Sequence, residues 1–343
     1  MSTSSASMQT MTGEQIPLAS IEVTSDDGSF CYDLRATVTD PEAARQVIPA
    51  PDGMREVEAH IQGWKMAFVI EGYSITRRNP TVQYQLQGRS RSAWLANPHA
   101  AKRTRLEPST RQAIQLAYDE LEYLGFDLDY QLANWIVPGG VWGYQDQTPM
   151  WALKRIAESV GGFVRSHRHR EEVQLVPRYP VSPPDWAGAT APTLDTDRIL
   201  TEESEWQPDE QIAIAWTMGE SEHGVIVRGY RAAWDQYQDG PRSAPPVAYE
   251  LLTDIEAGKA QARYRIDRSG AKLMQTITVP MERAQDNPEG FRPPGSMIRI
   301  TDGAASLTGV VRSMTISART SNGAANITQT LQIETRPEDP EWR

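Results

Sequence analysis

The sequence predicts an α+β, β-rich chain, two small β-barrel-like units flanking an α+β unit, and three observations predict it. Apolar residues alternate with polar ones in short runs over 30–38, 57–61, 66–70 and 82–86, the period of a strand with one buried face. Helical spacing of apolar residues is confined to a few stretches, the best punctuated lying near the middle of the chain. The composition is rich in turn-formers, with 24 Gly and 24 Pro among 343 residues and 39% hydrophobic residues, as in globular β proteins with many loops.

The elements follow in order. The start, Met1-Ser-Thr-Ser-Ser-Ala-Ser-Met8, has neither a basic beginning nor an apolar stretch. Residues 1–14 are therefore expected to be a flexible tail and not a signal peptide. Residues 15–98 read as the first β-barrel-like unit. Phe30, Tyr32, Leu34, Ala36 and Val38 alternate strictly, as do Val57, Ala59 and Ile61, then Met66, Phe68 and Ile70, then Val82, Tyr84 and Leu86. Gly63 and Asn79-Pro80 punctuate these strands, and Asn97-Pro98 closes the unit.

Residues 99–180 change character and read as the α+β unit. Ser109 and Gln112 suit a capping box ahead of Ile114, Ala117, Tyr118, Leu121 and Leu124, with Gly125 after them. A short strand at 127–130 and a tryptophan-rich loop lead to a second helix. There Thr148 stands at the N-cap and Pro149 at the first helical position, where its missing N–H costs nothing. Met150, Leu153, Ile156, Ala157 and Val160 mark one face, Gly161-Gly162 stops the helix, and a hairpin over 162–176 follows. Residues 181–195 form a stiff Pro-rich linker. Residues 196–340 return to β: strands at 212–216 and 225–230, a helical insertion at 249–266 with Leu251, Leu252 and Ile255 on one side, then Met297-Ile-Arg-Ile300 and two long strands joined at Asn322-Gly323, the dipeptide most favoured in tight hairpins.

The totals exclude several classes. A formal net charge of −11 argues against a nucleic-acid grip, whose footprint is a basic stripe. The acidity concentrates at Asp195, Asp197, Glu202, Glu203, Glu205, Asp209 and Glu210, which read as a solvated linker. No apolar run approaches the ~18 residues of a membrane span, and Met66-Ala-Phe-Val-Ile70 has the length of a buried strand. A lone Cys31 rules out an internal disulfide framework and points to folding in a reducing cytoplasm.

Chemistry does not emerge from the motifs. Ser166-His-Arg-His-Arg170 is the one histidine cluster; it lacks a third metal ligand and reads as a basic hairpin turn facing solvent. Gly88-Arg-Ser-Arg-Ser92 misses the nucleophile-elbow pattern at its last glycine. Gly139-Gly140 and Gly161-Gly162 lack the spacing and the lysine of a phosphate loop. Glu120 and Glu122 read as the solvated face of a helix, and the tryptophans as core or interface rather than a sugar platform. No catalytic residue, cofactor-binding residue or metal ligand is assigned.

Several stretches together carry a resemblance: Trp64-Lys-Met-Ala-Phe-Val-Ile-Glu-Gly72, Gly88-Arg-Ser-Arg-Ser-Ala-Trp-Leu-Ala-Asn-Pro98, Tyr144 to Gly162, Val173 to Tyr179, and Pro294-Gly295-Ser-Met-Ile-Arg-Ile300 followed by Gly309-Val-Val-Arg-Ser313. In this order and spacing they resemble the tail hub (baseplate hub) proteins of long-tailed bacteriophages and gene-transfer particles. The resemblance implies a structural protein of the virion tail tip without catalysis, assembled in the host cytoplasm. It further implies a homotrimer whose two similar barrels per chain build a pseudo-hexameric ring. Such a ring would join a tail tube protein or distal tail protein to a central fibre or spike protein, next to the tape measure protein, with DNA passing through it but not bound specifically and with no membrane contact. Alternatives are a distal tail protein, which would be hexameric, and a tail-associated carbohydrate-binding or hydrolytic protein.

Overall fold

The computed structural model describes residues 5–50, 53–231, 242–321 and 324–336. It is α+β and β-rich, with 48% strand and 17% helix. The alternating runs are strands with one buried face: in Asp33–Val38, Leu34, Ala36 and Val38 point inward, and in Arg55–Ile61, Val57, Ala59 and Ile61 do. Met66 to Ile70 is buried on both faces inside the strand Trp64–Arg78.

These strands belong to one 13-stranded sheet, and no closed barrel forms among the described residues. From edge to edge its order is Thr201–Gln207, Lys272–Pro280, Ala324–Thr335, Ala305–Ser321, Leu18–Asp26, Asp33–Val38, Thr81–Ser90, Trp64–Arg78, Arg55–Ile61, Ala6–Thr10 and Gln15–Ile16. The long strand Ala305–Ser321 joins the two ends of the chain. Along one edge it pairs first with Met297–Asp302 and then, from Ser313, with Leu18–Asp26; along the other it pairs with Ala324–Thr335. The exchange of partners happens at Arg312, where the register shifts between Val311 and Ser313, as at a β-bulge. One hydrophobic cluster accordingly draws on residues from Met8 to Leu86 and from Leu194 to Ile333.

A second cluster holds the middle of the chain and takes in Leu251, Leu252 and Ala257 from further on. Four α-helices occur among the described residues: α1 Pro41–Val47, α2 Ala113–Leu121, α3 Pro149–Ser159 and α4 Ile255–Arg268. In α3 the Thr148 hydroxyl accepts from the Trp151 N–H at 3.3 Å, and Met150, Leu153, Ile156 and Ala157 are buried. Gly161 ends it at φ +75°, and a Cβ there would stand 2.3 Å from the Tyr264 Cβ of α4. That glycine is needed both for its left-handed backbone and for the close approach.

Two expectations move. α2 is not capped from Ser109: it begins at Ala113, the Gln115 side chain accepts from the Gln112 N–H, and Asn134 accepts from Ile114 N–H. A distant loop residue supplies what the local pattern assigned to Ser109. The helical insertion starts at Ile255 and not at 249, because the Asp254 carboxylate caps Glu256 N–H at 2.8 Å, while Val247–Tyr249 is a strand. Leu251 and Leu252 are buried in the connection. α4 covers a small sheet of Ile214–Gly219, Ile226–Tyr230 and Val247–Tyr249.

The segment read as a Pro-rich linker carries a 3-10 turn, Pro183–Gly188, whose Trp186 is buried and stacks on Tyr179. Its end, Thr193–Asp195, pairs parallel to Arg299–Thr301. Asn322-Gly323 lies outside the described residues; on either side of it Ser321 and Ala324 are partners. Among the described residues no helix is long and apolar enough to cross a membrane.

Candidate assembly surfaces

The residues weighed for chemistry are tied into the scaffold. Ser90 and Ser92 are fully buried: Ser90 Oγ accepts from the Tyr32 N–H at 3.0 Å, and Ser92 Oγ donates to the Phe30 carbonyl at 3.3 Å. The pair clips the turn Arg91–Leu95 onto residues 30–32, which lead into the strand Asp33–Val38. Of the clustered tryptophans, Trp135 and Trp142 are core, and Trp135 Nε1 donates to the Leu251 carbonyl at 2.9 Å.

The reading of Glu120 as a solvated residue is corrected. Glu120 is fully buried, facing Arg105 Nη1 at 3.0 Å and accepting from the Tyr144 hydroxyl at 2.6 Å, whereas Glu122 is exposed. Arg105, on the strand Arg103–Leu106, also reaches Asp119 and Glu107. A carboxylate whose partner lies on another element can be buried where helical periodicity places it outside.

The histidine turn is corrected too: it does not face solvent freely but docks on the first sheet. The Arg168 carbonyl accepts from the Ala67 N–H at 2.9 Å, and the Arg168 guanidinium lies over the Trp64 and Phe291 rings at 5.0 and 5.5 Å. His169 Nε2 meets Glu58 at 2.9 Å, and His60 contacts the same carboxylate. His167 Nδ1 accepts the N–H groups of His169 and Arg170 at 3.1 and 2.9 Å. Burial, then the neighbouring cations Arg170 and Arg168, hold the His167 imidazole down at about 4, so it stays neutral and keeps its acceptor. Among the described residues no group of three or more His, Cys, Asp or Glu is placed to hold a metal ion. Burial also pushes the Cys31 thiol up to about 12.

A polar junction with no signature in local spacing lies where the long strand changes partner. Arg312 contacts Glu334 at 2.8 Å and Asp27 at 3.3 Å, and donates to the Arg178 carbonyl at 2.9 Å. Tyr179 Oη donates to Glu334, and Arg178 pairs with Asp27 at 3.1 Å. Burial alone would raise the Glu334 carboxyl, but Arg312 and Arg336 override it and hold the group below its ordinary value. Arg336 also donates to the Ser269, Gly270 and Ala271 carbonyls at 2.7–3.0 Å, just beyond the end of α4. Residues 27, 178–179, 312 and 334 thus lock the first strands, the middle unit and the last strands together beside an open cleft of about 410 Å³.

Two surfaces are left over. The hairpin formed by Trp64–Arg78 and Thr81–Ser90 runs past its neighbours: Arg55–Ile61 stops pairing at Ile70, and Asp33–Val38 at Tyr84. Residues 73–81 are exposed on both faces, including Tyr73 and Ile75, and Arg77 and Arg78 stand near the tip. At the far end of the sheet the acidic run proves to be a strand, Thr201–Gln207, paired among the described residues on one side only, with Lys272–Thr278. Its residues 201–206 are exposed on both faces, so it lacks the alternation by which a strand is recognised.

No family model matches the chain, and no curated protein matches it. Solved structures do. A tail protein from Neisseria meningitidis matches with a TM-score of 0.65 at 14% identity, covering 97% of each chain. The 43 kDa tail protein of prophage MuSo2 from Shewanella oneidensis matches with a TM-score of 0.61 at 12% identity, covering 96% of this chain and 97% of that one. Prophage tail protein gp18 from Listeria monocytogenes gives 0.57 at 10% identity, covering 96% and 94%. Along nearly its whole length, the chain has the fold of phage and prophage tail proteins.

Proposed function

We propose that the chain is the structural hub of a phage-type tail tip or baseplate. In this reading three copies form a pseudo-hexameric ring that joins the tail tube or distal tail ring to a central fibre or spike, beside the tape measure protein. The observation that carries it is the likeness to tail proteins, which runs end to end in both chains and leaves no large part of either outside the match. The two β-rich ends of the chain, brought together by the strand Ala305–Ser321, supply two units per chain, so three chains supply six, the number a hexameric tube presents.

The same reading makes the protein non-enzymatic and places it in the virion tail after synthesis in the host cytoplasm. Burial of Trp135 and Trp142 weighs against a carbohydrate platform, which needs exposed aromatic faces side by side. Its units are 15–98, 99–180, the connection 181–195 and 196–340; the flexible tail expected over 1–14 is corrected, since Ala6–Thr10 pairs with Arg55–Ile61 and Met8 is fully buried. Hydrogen exchange on the whole chain tests that division: amides of 99–180 are expected to exchange as a group distinct from the flanking units. Copy number tests the function. Reconstruction of the tail tip without imposed symmetry is expected to show three copies; six copies would indicate a distal tail protein, and one would end the ring reading.

A further inference from the structure

The overhanging hairpin and the acidic edge strand match each other, and no strand pairing joins them among the described residues. Between them in the sheet stand the strands Asp33–Val38, Leu18–Asp26, Ala305–Ser321, Ala324–Thr335 and Lys272–Pro280. On the edge that Arg55–Ile61 leaves free, Trp64–Arg78 runs on over residues 71–78, still paired on its other side with Thr81–Ser90; residues 72–78 of it equal the edge strand Thr201–Gln207 in length. Glu202, Glu203 and Glu205 make no ion pair among the described residues, and neither do Arg77 and Arg78. A two-stranded ribbon exposed on both faces is marginal by itself, and an exposed sheet edge is a template for another strand.

We propose that residues 72–78 of one copy add, antiparallel, to the edge strand Thr201–Gln207 of a second copy. This rests on the reading of the protein as a ring-forming hub and names the surfaces through which the ring closes. With Gly72 opposite Gln207, Arg77 falls opposite Glu202 and Tyr73 opposite Trp206, while Arg78 lies diagonal to Glu203. Opposite charges and aromatic pairs then coincide in one register, the arrangement that stabilises adjacent strands. The three glutamates keep two edge strands of the same kind apart by repulsion and admit only a basic partner. Because the two surfaces differ, the contact is head-to-tail, and such contacts close into rings when the rotation allows.

Charge reversal on the full-length chain tests the interface. Association is followed by native mass spectrometry over a concentration series and by an oxidative cross-link between Arg77→Cys and Glu202→Cys on separate chains. Arg77→Glu with Arg78→Glu, or Glu202→Lys with Glu203→Lys and Glu205→Lys, is expected to weaken association by at least about tenfold, and all five together to restore most of it. All of these positions are exposed, and circular dichroism checks that each variant remains folded. Self-association that neither reversal weakens, or a fivefold variant no better than its halves, would overturn the proposal. So would a chain that stays monomeric at every concentration and gives no cross-link. The hub reading fails separately. Three copies in the tail tip with no response to charge reversal reject this interface and keep the hub. An open filament or another copy number, with rescue by the combined reversal, keeps the interface and rejects the trimeric hub.

Discussion

Arg312 and Glu334 are both nearly buried, each with its charge satisfied by a partner from a different part of the chain. Removing Arg312 takes from Glu334 one of its two cations and leaves Arg336 and Tyr179 in place, so the loss is part of what a fully stranded buried charge costs, about 1–3 kcal/mol. Arg312→Ala is therefore expected to destabilise by that amount in urea titration, while Arg170→Ala, at the exposed end of the histidine turn, stays within about 0.5 kcal/mol. His167 sets a different expectation. Its folded-state value of about 4 lies below the ordinary 6.5, so the unfolded chain binds the extra proton first. Its contribution is complete above pH 6.5 and is lost as pH falls from 6.5 towards 4. His167→Asn, which keeps a side-chain acceptor for the turn but cannot titrate, is expected to flatten the stability–pH curve across that window. An unchanged slope would show that protonation of His167 does not govern the turn. Substituting His167 and His169 together, harmless for a solvated turn, is expected to loosen the contact with Glu58 and Ala67.

At the scale of elements, α3 shows how far local pattern can go. The Thr148 cap, Pro149 and the apolar face all stand where spacing puts them. Leu153→Ala or Ile156→Ala is expected to cost about 2–5 kcal/mol as a core truncation, against about 0.5 kcal/mol or less for Lys154→Ala and Glu158→Ala. Equal effects at all four would show the buried face is misassigned. Gly161→Ala meets two penalties at once, a positive φ and the Tyr264 side chain. A loss of about 1–3 kcal/mol is expected in thermal or urea unfolding. Gly125→Ala gives the comparison, since it shares a positive φ but would meet nothing within 4 Å. A larger effect at Gly161 isolates the α3–α4 contact.

For the whole molecule, the continuity of the sheet matters most. Residues 313–319 pair with Leu18–Asp26, so the last strands support the first. Ile316, fully buried in the shared cluster, is opposite Val23. Ile316→Ala is expected to lower hydrogen-exchange protection in 18–26 as well as in 313–319, because the lost packing is common to both. Protection lost only near residue 316 would mean that the ends of the chain are stabilised independently. Such coupling fits the proposed ring, in which the two β-rich parts would keep a fixed relation to each other.

The sequence by itself determined the β-rich class, the strands read over 30–38, 57–61 and 66–70, which the structure runs as Asp33–Val38, Arg55–Ile61 and part of Trp64–Arg78, the helix α3, and the hairpin over 162–176. Each is written in short-range spacing, caps and turn residues, forces that act within one or two turns of chain. Tertiary structure decided the rest. Glu120 is buried because Arg105 and Tyr144 come to it, and α2 is capped by Asn134 from a loop. The basic turn finds Trp64, Phe291 and Glu58, and Thr201–Gln207 becomes a strand only because Lys272–Thr278 offers it a ladder. The Arg312–Glu334–Tyr179 junction joins residues up to 155 positions apart. A buried charge or an edge strand is set by what arrives from elsewhere to share its hydrogen bonds, and local periodicity carries no record of that partner.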